Sequence, residues 1–359
     1  MMDTYKVSAL RYRPQHFEDV VGQQAITQTL AHAIEQNQLA QALLFCGPRG
    51  VGKTSCARIL AKTINQNQQS TEDSDFAFNI FELDAASNNL VEDIRQLNEQ
   101  VRIPPQVGTH KVYIIDEVHM LSTAAFNAFL KTLEEPPKHV IFILATTEKH
   151  KIIPTILSRC QVYDFKRIGV EDIKSHLKRI AQEQNIPFEE DALHFIALKA
   201  DGALRDALSI FDRMLSFTQN NLCSSAVAAN LNILDFETYF KITTALLEED
   251  IPESLLQLNE IINKGFDAGQ FLSGLGDHFR TLLVAKDTKT IPMMEVAAET
   301  QQKFKAQSEA FAYEHLVTAL QLVNDASYNY KNSPNKRLHT EVCLMQLASL
   351  KEAEKKKAI

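Results

Sequence analysis

The sequence contains no run of eighteen or more apolar residues, so it predicts no membrane-spanning helix. Its first ten residues lack the basic-then-apolar pattern of a secretory signal peptide, and we therefore expect a cytoplasmic protein. No two of its five cysteines form a CxxC pair. This spacing favours buried or unreactive free thiols in a reducing compartment over a zinc site or a disulfide framework. The cysteines are Cys46, Cys56, Cys160, Cys223 and Cys343.

Basic residues are also scarce, since 37 Lys and Arg against 45 Asp and Glu give a formal net charge of −8. A dedicated DNA-binding domain is usually basic. The charge balance therefore argues against a protein that grips nucleic acid alone, but it allows one face of a larger assembly to do so. The length of 359 residues, with 45% hydrophobic and 23% charged residues, indicates a globular protein of two or three domains.

Three short apolar runs predict buried strands, at residues 43–46, 111–115 and 140–145. Helical spacing follows the first run, and a helix predicted at 124–133 separates the other two before it stops at two prolines. Alternating strands and helices predict an α/β domain whose parallel sheet has helices on both faces.

Beyond about Arg167 only helical patterns remain, with breaks near Gly265, Pro292 and Pro334. A polar stretch at 65–75 predicts a mobile surface loop. The predicted domains are the α/β domain at 1–166, a small helical lid at 167–228, a larger helical domain at 229–350 and a charged tail at 351–359.

A phosphate-binding loop is predicted at 47–54, where GPRGVGKT matches the pattern GxxxxGK[ST]. The glycines allow backbone N–H groups to turn inward around the β-phosphate. Lys53 would bridge the β- and γ-phosphates, and the Thr54 hydroxyl would ligate Mg²⁺. A Gly-rich structural turn is the alternative, but this loop also follows a predicted strand and opens a predicted helix. The predicted nucleotide contacts here are Gly47, Pro48, Arg49, Gly50, Val51, Gly52, Lys53, Thr54 and Ser55.

Two acidic residues follow the second predicted strand, beside the phosphate loop in a parallel sheet. Asp116 is placed to hold Mg²⁺ through water, and Glu117 to polarise the water that attacks the γ-phosphate. A kinase would need an acceptor site and a different base, so the pair predicts an ATPase. His119 is expected to be packed or hydrogen-bonded and not to be a ligand.

Three further polar residues have two interpretations each. Thr147, after the third strand, contacts the attacking water or γ-phosphate, or else caps the next turn. Arg159 has a surface ion pair as its alternative, and Arg205 an ion pair with Asp201 or Asp206. The residues alone leave these alternatives open.

Together these motifs resemble the gamma/tau family of bacterial DNA polymerase III clamp-loader subunits, which are AAA+ ATPases. The match runs from about Tyr5 to Phe217 and continues more loosely to Leu350. The segments that carry it are RYRP (11–14), VVGQ (20–23), GPRGVGKT (47–54), ELDAASNN (82–89), VYIIDEVHML (112–121), FLKTLEEPP (129–137), ATTE (145–148), ILSRCQ (156–161) and GALRDALS (202–209).

The resemblance implies an AAA+ P-loop core, a helical lid and an all-α collar that holds a pentamer together. It implies that Thr147 and Arg205 occupy the two sensor positions, which respond to the γ-phosphate. Arg159 matches an arginine finger that reaches the ATP of a neighbouring subunit. The residues implied to surround adenine and ribose are Arg11, Tyr12, Pro14, Val20 and Val21.

The cofactors implied are ATP and Mg²⁺. The partners implied are the delta and delta-prime subunits, further gamma/tau copies, a sliding clamp and primer–template DNA, without a membrane. The four-cysteine zinc module usual in the family is replaced by the polar stretch at 65–75, so no zinc is expected. The long C-terminal extension of tau forms is not seen either, so we expect a gamma-like length.

Two other functions compete with this one. Another AAA+ DNA motor, such as a branch-migration helicase or a replication initiator, would need a DNA-binding domain at its C-terminus, but the stretch after Leu231 is not notably basic. A catalytically silent scaffold subunit would not need Lys53, Thr54, Asp116 and Glu117, all of which are present.

Overall fold

The computed structural model describes residues 7–66, 79–106, 108–231, 234–294, 296 and 298–350. The chain start at 1–6, most of the predicted polar loop and the predicted tail at 351–359 lie outside these residues. No helix in the described ranges is long and apolar enough to cross a bilayer.

The chain divides into two compact units. The first contains the described residues up to Glu183 together with Ile196–Arg213, and the second contains Gln184–Phe195 together with the described residues from Met214 onward. The domain boundaries after residues 166 and 228 stay predictions.

A five-stranded, wholly parallel sheet forms the centre of the first unit, in the order β2-β3-β4-β1-β5. The α/β prediction is confirmed, and the three predicted strands correspond to β1, β3 and β4. Every residue of β1 and β4 is buried, as expected for central strands covered on both faces. The strands are β1 (Ala42–Cys46), β2 (Ile80–Asp84), β3 (Lys111–Asp116), β4 (Val140–Thr146) and β5 (Gln161–Asp164).

Helices cover both faces of this sheet. Leu30 of α2 and Leu60 of α3 pack with Phe45 on one face, while Leu97 of α4 and Phe129 of α5 belong to the cluster on the other. The helices of this part of the chain are α1 (Ser8–Arg11), α2 (Gln24–Glu35), α3 (Lys53–Gln66), α4 (Val91–Val101), α5 (Thr123–Glu134), α6 (Pro154–Leu157) and α7 (Val170–Glu183).

The predicted loop at 65–75 begins too early. Residues 65 and 66 still belong to α3, where the buried Asn65 side chain donates to the Ala61 carbonyl at 3.1 Å. Asn65 is only 2% exposed, so packing at the end of α3 outweighs the low helix propensity of asparagine. The rest of the predicted loop lies outside the described residues.

The second unit is helical around one apolar cluster that includes Phe271, Phe279 and Leu316. Helix α13 begins at an Asp267 cap, whose carboxylate accepts the Gly269 N–H at 2.9 Å. The predicted breaks near 265, 292 and 334 fall between α-helices, and a single 3₁₀ turn at Ile291–Met293 contains residue 292. The helices are α10 (Ser224–Asn230), α11 (Phe236–Leu247), α12 (Ile251–Asn263), α13 (Ala268–Ala285), α14 (Ala298–Glu309), α15 (Tyr313–Tyr330) and α16 (Lys336–Ala348), while α8 (Glu190–Lys199) and α9 (Leu204–Phe217) have residues in both units.

Candidate nucleotide-binding site

A cavity of about 490 Å³ lies within the first unit and is lined by the phosphate loop and the end of β3. It lies outside the carboxyl ends of the strands, where parallel sheets bind ligands. Most predicted contacts line it, namely Tyr12, Pro14, Val20, Val21, residues 49–55, Asp116, Glu117 and Arg205. The predicted residues outside its lining are Arg11, Gly47, Pro48, Thr147 and Arg159.

The phosphate loop connects β1 to α3 in a backbone conformation that needs glycine. Gly50 has φ +77° and Gly52 has φ +102°, both in the left-handed region. Lys53 opens α3 and is only 6% exposed, and its Nζ donates to the carbonyls of Gly47 and Pro48 at 2.8 Å each. Burial lowers the pKa of this ammonium, while the carboxylate of Glu117 opposes the shift.

The predicted metal ligands are adjacent to each other. The Thr54 hydroxyl donates to Asp116 Oδ2 at 2.7 Å, and Asp116 Oδ1 accepts the Glu117 N–H at 2.9 Å. A hydroxyl and a carboxylate oxygen are donors that suit Mg²⁺, which prefers hard oxygen ligands. The residues present therefore fit this ion.

Glu117 is held in a defined position by its backbone and by one neighbour. Its φ of +46° is left-handed, which is unusual for a residue with a side chain. Its Oε2 accepts two hydrogen bonds from Thr147, from the hydroxyl at 2.9 Å and from the backbone N–H at 3.2 Å. Thr147 thus contacts the carboxylate proposed as base, whereas Thr146 accepts the Glu148 N–H of the next turn at 3.0 Å.

The His119 side chain is only 7% exposed and is hydrogen-bonded, as predicted. Its Nδ1 lies 3.0 Å from Thr146 Oγ1 and 3.4 Å from Glu117 Oε2, and its Nε2 lies 3.2 Å from Glu148 Oε2. The imidazole therefore lies between the carboxylates of Glu117 and Glu148 and does not line the cavity.

Arg205 lies in the first turn of α9, directly against the phosphate loop. Its backbone N–H donates to the Gly50 carbonyl at 3.3 Å. A Cβ at Gly50 would approach the Cβ of Ala203 to 3.0 Å, so the contact needs glycine for space as well as for its backbone angle. Asp201, one of the two predicted partners of Arg205, forms an ion pair with Arg167.

Arg159 lies away from this cavity and forms the ion pair that the sequence left open. Its Nε donates to Glu134 Oε1 at 2.9 Å, and its Nη1 donates to the Thr155 carbonyl at 2.6 Å. The Arg159 side chain is 31% exposed.

Several lining residues were not predicted. Arg13 lies within the RYRP segment, so that motif was a usable signal. The remainder come from the chain before α2, from α7 and α9, and, for Ile168, from the segment between β5 and α7. The Ser8 N–H donates to Asp212 Oδ2 at 2.7 Å across 204 residues of sequence, a pairing without a local signal. The unpredicted lining residues are Val7, Ala9, Leu10, Arg13, Asp19, Ile168, His176, Leu204, Leu208, Ser209 and Asp212.

Three family models match consecutive parts of the chain. Residues 22–169 match "DNA polymerase III, delta subunit", and residues 172–220 match "DNA polymerase III clamp loader subunit, ATPase lid domain". Residues 224–359 match "DNA polymerase III subunits gamma and tau domain III".

Curated relatives agree with these models. DNA polymerase III subunit tau of Bacillus subtilis (strain 168) is 38% identical over 348 residues, covering 94% of this chain and 62% of the relative. DNA polymerase III subunit gamma of Buchnera aphidicola (subspecies Acyrthosiphon pisum) is 32% identical over 361 residues, covering 96% of this chain and 99% of the relative. The chain spans 62%, 51% and 43% of the length of the first three relatives it matches.

Among solved structures, Thermotoga maritima RuvB has a TM-score of 0.50 at 22% identity, covering 66% of this chain and 79% of that one. At this identity the likeness shows the shared AAA+ fold alone.

Proposed function

The chain belongs to the gamma/tau family of bacterial DNA polymerase III subunits, and from that premise we propose that it is an ATP-hydrolysing clamp-loader motor. Its task would be to open a sliding clamp and place it on primed DNA. The observation that carries the proposal is the convergence of Lys53, Thr54, Asp116 and Glu117 on one cavity beside the sheet.

Each of these side chains has a role that fits its position. Lys53 would exchange its two carbonyl acceptors for β- and γ-phosphate oxygens. Thr54 and Asp116 would hold Mg²⁺, which when bound neutralises charge on the phosphates. Glu117 would accept a proton from the attacking water, with its carboxylate oriented by Thr147.

The remaining nucleotide contacts come from the loop neighbours and from the chain before α2. Residues 47–52 and Ser55 would surround the phosphates. Arg205 supports γ-phosphate sensing because its helix contacts Gly50. Arg11, Tyr12, Pro14, Val20 and Val21 are proposed near adenine and ribose, although Arg11 does not line the cavity.

Arg159 is proposed to act on the nucleotide of a neighbouring subunit. Its absence from the lining of the cavity in its own chain and the partial exposure of its side chain support a role in trans. A finger supplied by another subunit would make hydrolysis depend on a correctly assembled ring.

The proposed partners are the delta and delta-prime subunits and further gamma/tau copies, joined through the helical domain at 229–350. The sliding clamp and primer–template DNA complete the assembly. A protein with these partners would act in the cytoplasm. No zinc is proposed.

The test is ATP turnover by the chain reconstituted with its partner subunits, with and without clamp and primed DNA. Turnover should rise when both are added and should vanish in Lys53→Ala. Lys62→Ala is the matched control, because Lys62 lies on the same helix but is exposed and does not line the cavity. Wild-type turnover indifferent to clamp and primed DNA would contradict clamp loading while leaving the ATPase intact.

A further inference from the structure

The cavity lining separates into two chemically different groups of side chains. The phosphate loop, Asp116 and Arg205 are polar and suit a triphosphate with its metal ion. Val20, Ile168 and Leu208 are apolar and buried, and side chains of this kind suit the faces of a nucleobase. A base among apolar walls needs a few polar groups to recognise its edge.

His176 on α7 provides such a group. It lines the cavity and is 7% exposed, and its Nε2 is closed to solvent. Among the described residues of the lining, His176 alone has a buried side-chain polar atom without a hydrogen-bond partner. A buried donor or acceptor without a partner costs free energy, so a ligand that supplies the partner would recover it.

The neighbours of His176 determine which nitrogen carries the proton. Nδ1 lies 3.4 Å from Arg179 Nη2, and a guanidinium can only donate, so Nδ1 accepts and Nε2 carries the hydrogen. Burial lowers the pKa of His176 to about 4; Arg179 adds to this shift and Asp19 opposes it. The ring is therefore neutral near pH 7, with an N–H donor at Nε2.

We propose that His176 recognises the base of the bound nucleotide by donating its Nε2 hydrogen to a ring nitrogen of adenine. The inference rests on the proposed function, in which the cavity holds ATP. Adenine offers N1, N3 and N7 as acceptors, whereas its exocyclic amine is a donor and does not match. Because Nε2 is closed to solvent, the imidazole turns or shifts slightly as the base enters.

The test is a double-mutant cycle in binding between the side chain and single atoms of the base. Equilibrium dissociation constants are measured for ATP and for its 1-deaza, 3-deaza and 7-deaza analogues, each of which replaces one acceptor nitrogen by C–H. The proteins are the full chain, His176→Phe and His176→Gln, which keeps an N–H donor. Ser175→Ala, an exposed position on the same helix, is the control.

The wild type and Ser175→Ala should bind one of the three analogues about tenfold more weakly than ATP, as expected for the loss of one neutral hydrogen bond. His176→Phe should bind ATP and that analogue equally, and His176→Gln should recover part of the discrimination. The inference is overturned if every analogue binds the wild type as ATP does, or if His176→Phe weakens ATP and all three analogues by the same factor. In both outcomes ATP binding by the wild type leaves the proposed function standing. Absence of ATP binding by the wild type would instead remove the proposed function itself.

Discussion

Replacing Arg159 by alanine should separate its structural contribution from its proposed catalytic one. The Arg159 side chain is 31% exposed and that of its partner Glu134 is 47% exposed. A pair this exposed contributes at most about 1 kcal/mol to the free energy of unfolding, because water screens it. An arginine finger contributes ~10³–10⁵ in turnover, equivalent to ~4–7 kcal/mol at the transition state. The loss of turnover should therefore be several times larger, in free energy, than the loss of stability.

The assay mixes two inactive variants. Arg159→Ala chains keep an intact nucleotide site, and Lys53→Ala chains keep an intact finger. With partner subunits, clamp and primed DNA, the mixture should turn over ATP faster than the two variants measured separately. Arg95→Ala, which removes an exposed ion pair with Glu92 in the first unit, should behave as wild type in turnover and in stability. A mixture no more active than the sum of its parts would refute the role in trans.

Three further predictions follow from particular contacts. Thr147→Val removes a hydroxyl that lies 2.9 Å from the carboxylate of the proposed base. It should lower steady-state turnover by roughly 10²-fold with little change in the ATP dissociation constant. A rise in the ATP dissociation constant as large as the fall in turnover would contradict this role. Gly50→Ala introduces a Cβ 3.0 Å from that of Ala203 at a φ of +77°. It should raise the ATP dissociation constant in binding titrations at least about tenfold, the factor that 1.4 kcal/mol of strain produces. Gly265→Ala is the control, because its φ is +89° but no atom lies within 4 Å of the added Cβ. Burial lowers the pKa of His278 from 6.5 to about 4, so the neutral ring stabilises the fold above pH 6.5 and this stability is lost as the pH falls towards 4. In denaturant unfolding, the free energy of unfolding of the wild type should fall by about 3 kcal/mol more than that of His278→Leu as the pH is lowered from 6.5 to below 4. Equal losses in the two proteins would contradict the lowered pKa of His278.

The sequence indicated the centre of the sheet better than its edges. β1, β3 and β4 are central, covered on both faces and therefore continuously apolar, which is the pattern that predicts a strand. β2 and β5 lie at the two edges and are only partly buried, so their short stretches lack this pattern. The predicted start of the polar loop at Asn65 was wrong, because Asn65 is buried and α3 continues to Gln66 despite the polar sequence.

The residues of the candidate site also divide into those that a sequence motif predicts and those that only the tertiary structure brings together. The phosphate loop and the acidic pair are each a short continuous segment. The chemistry of each segment fixes the order of its residues, so each could be predicted from a sequence motif. The contact of Arg205 with Gly50 and the place of His176 in the same cavity depend on α9 and α7 folding back beside a loop more than a hundred residues earlier. The left-handed backbone of Glu117 and its bonds to Thr147 likewise follow from tertiary structure and have no sequence pattern of their own.

The central claim is that ATP turnover in this chain places a clamp on DNA. The most direct measurement follows a fluorescently labelled clamp onto circular primed DNA in the presence of the partner subunits. We expect stable clamp on the DNA with the wild-type chain and ATP, and none with Lys53→Ala or without ATP. Equal amounts of bound clamp with and without ATP, or no clamp on primed DNA while ATP is hydrolysed, would contradict it.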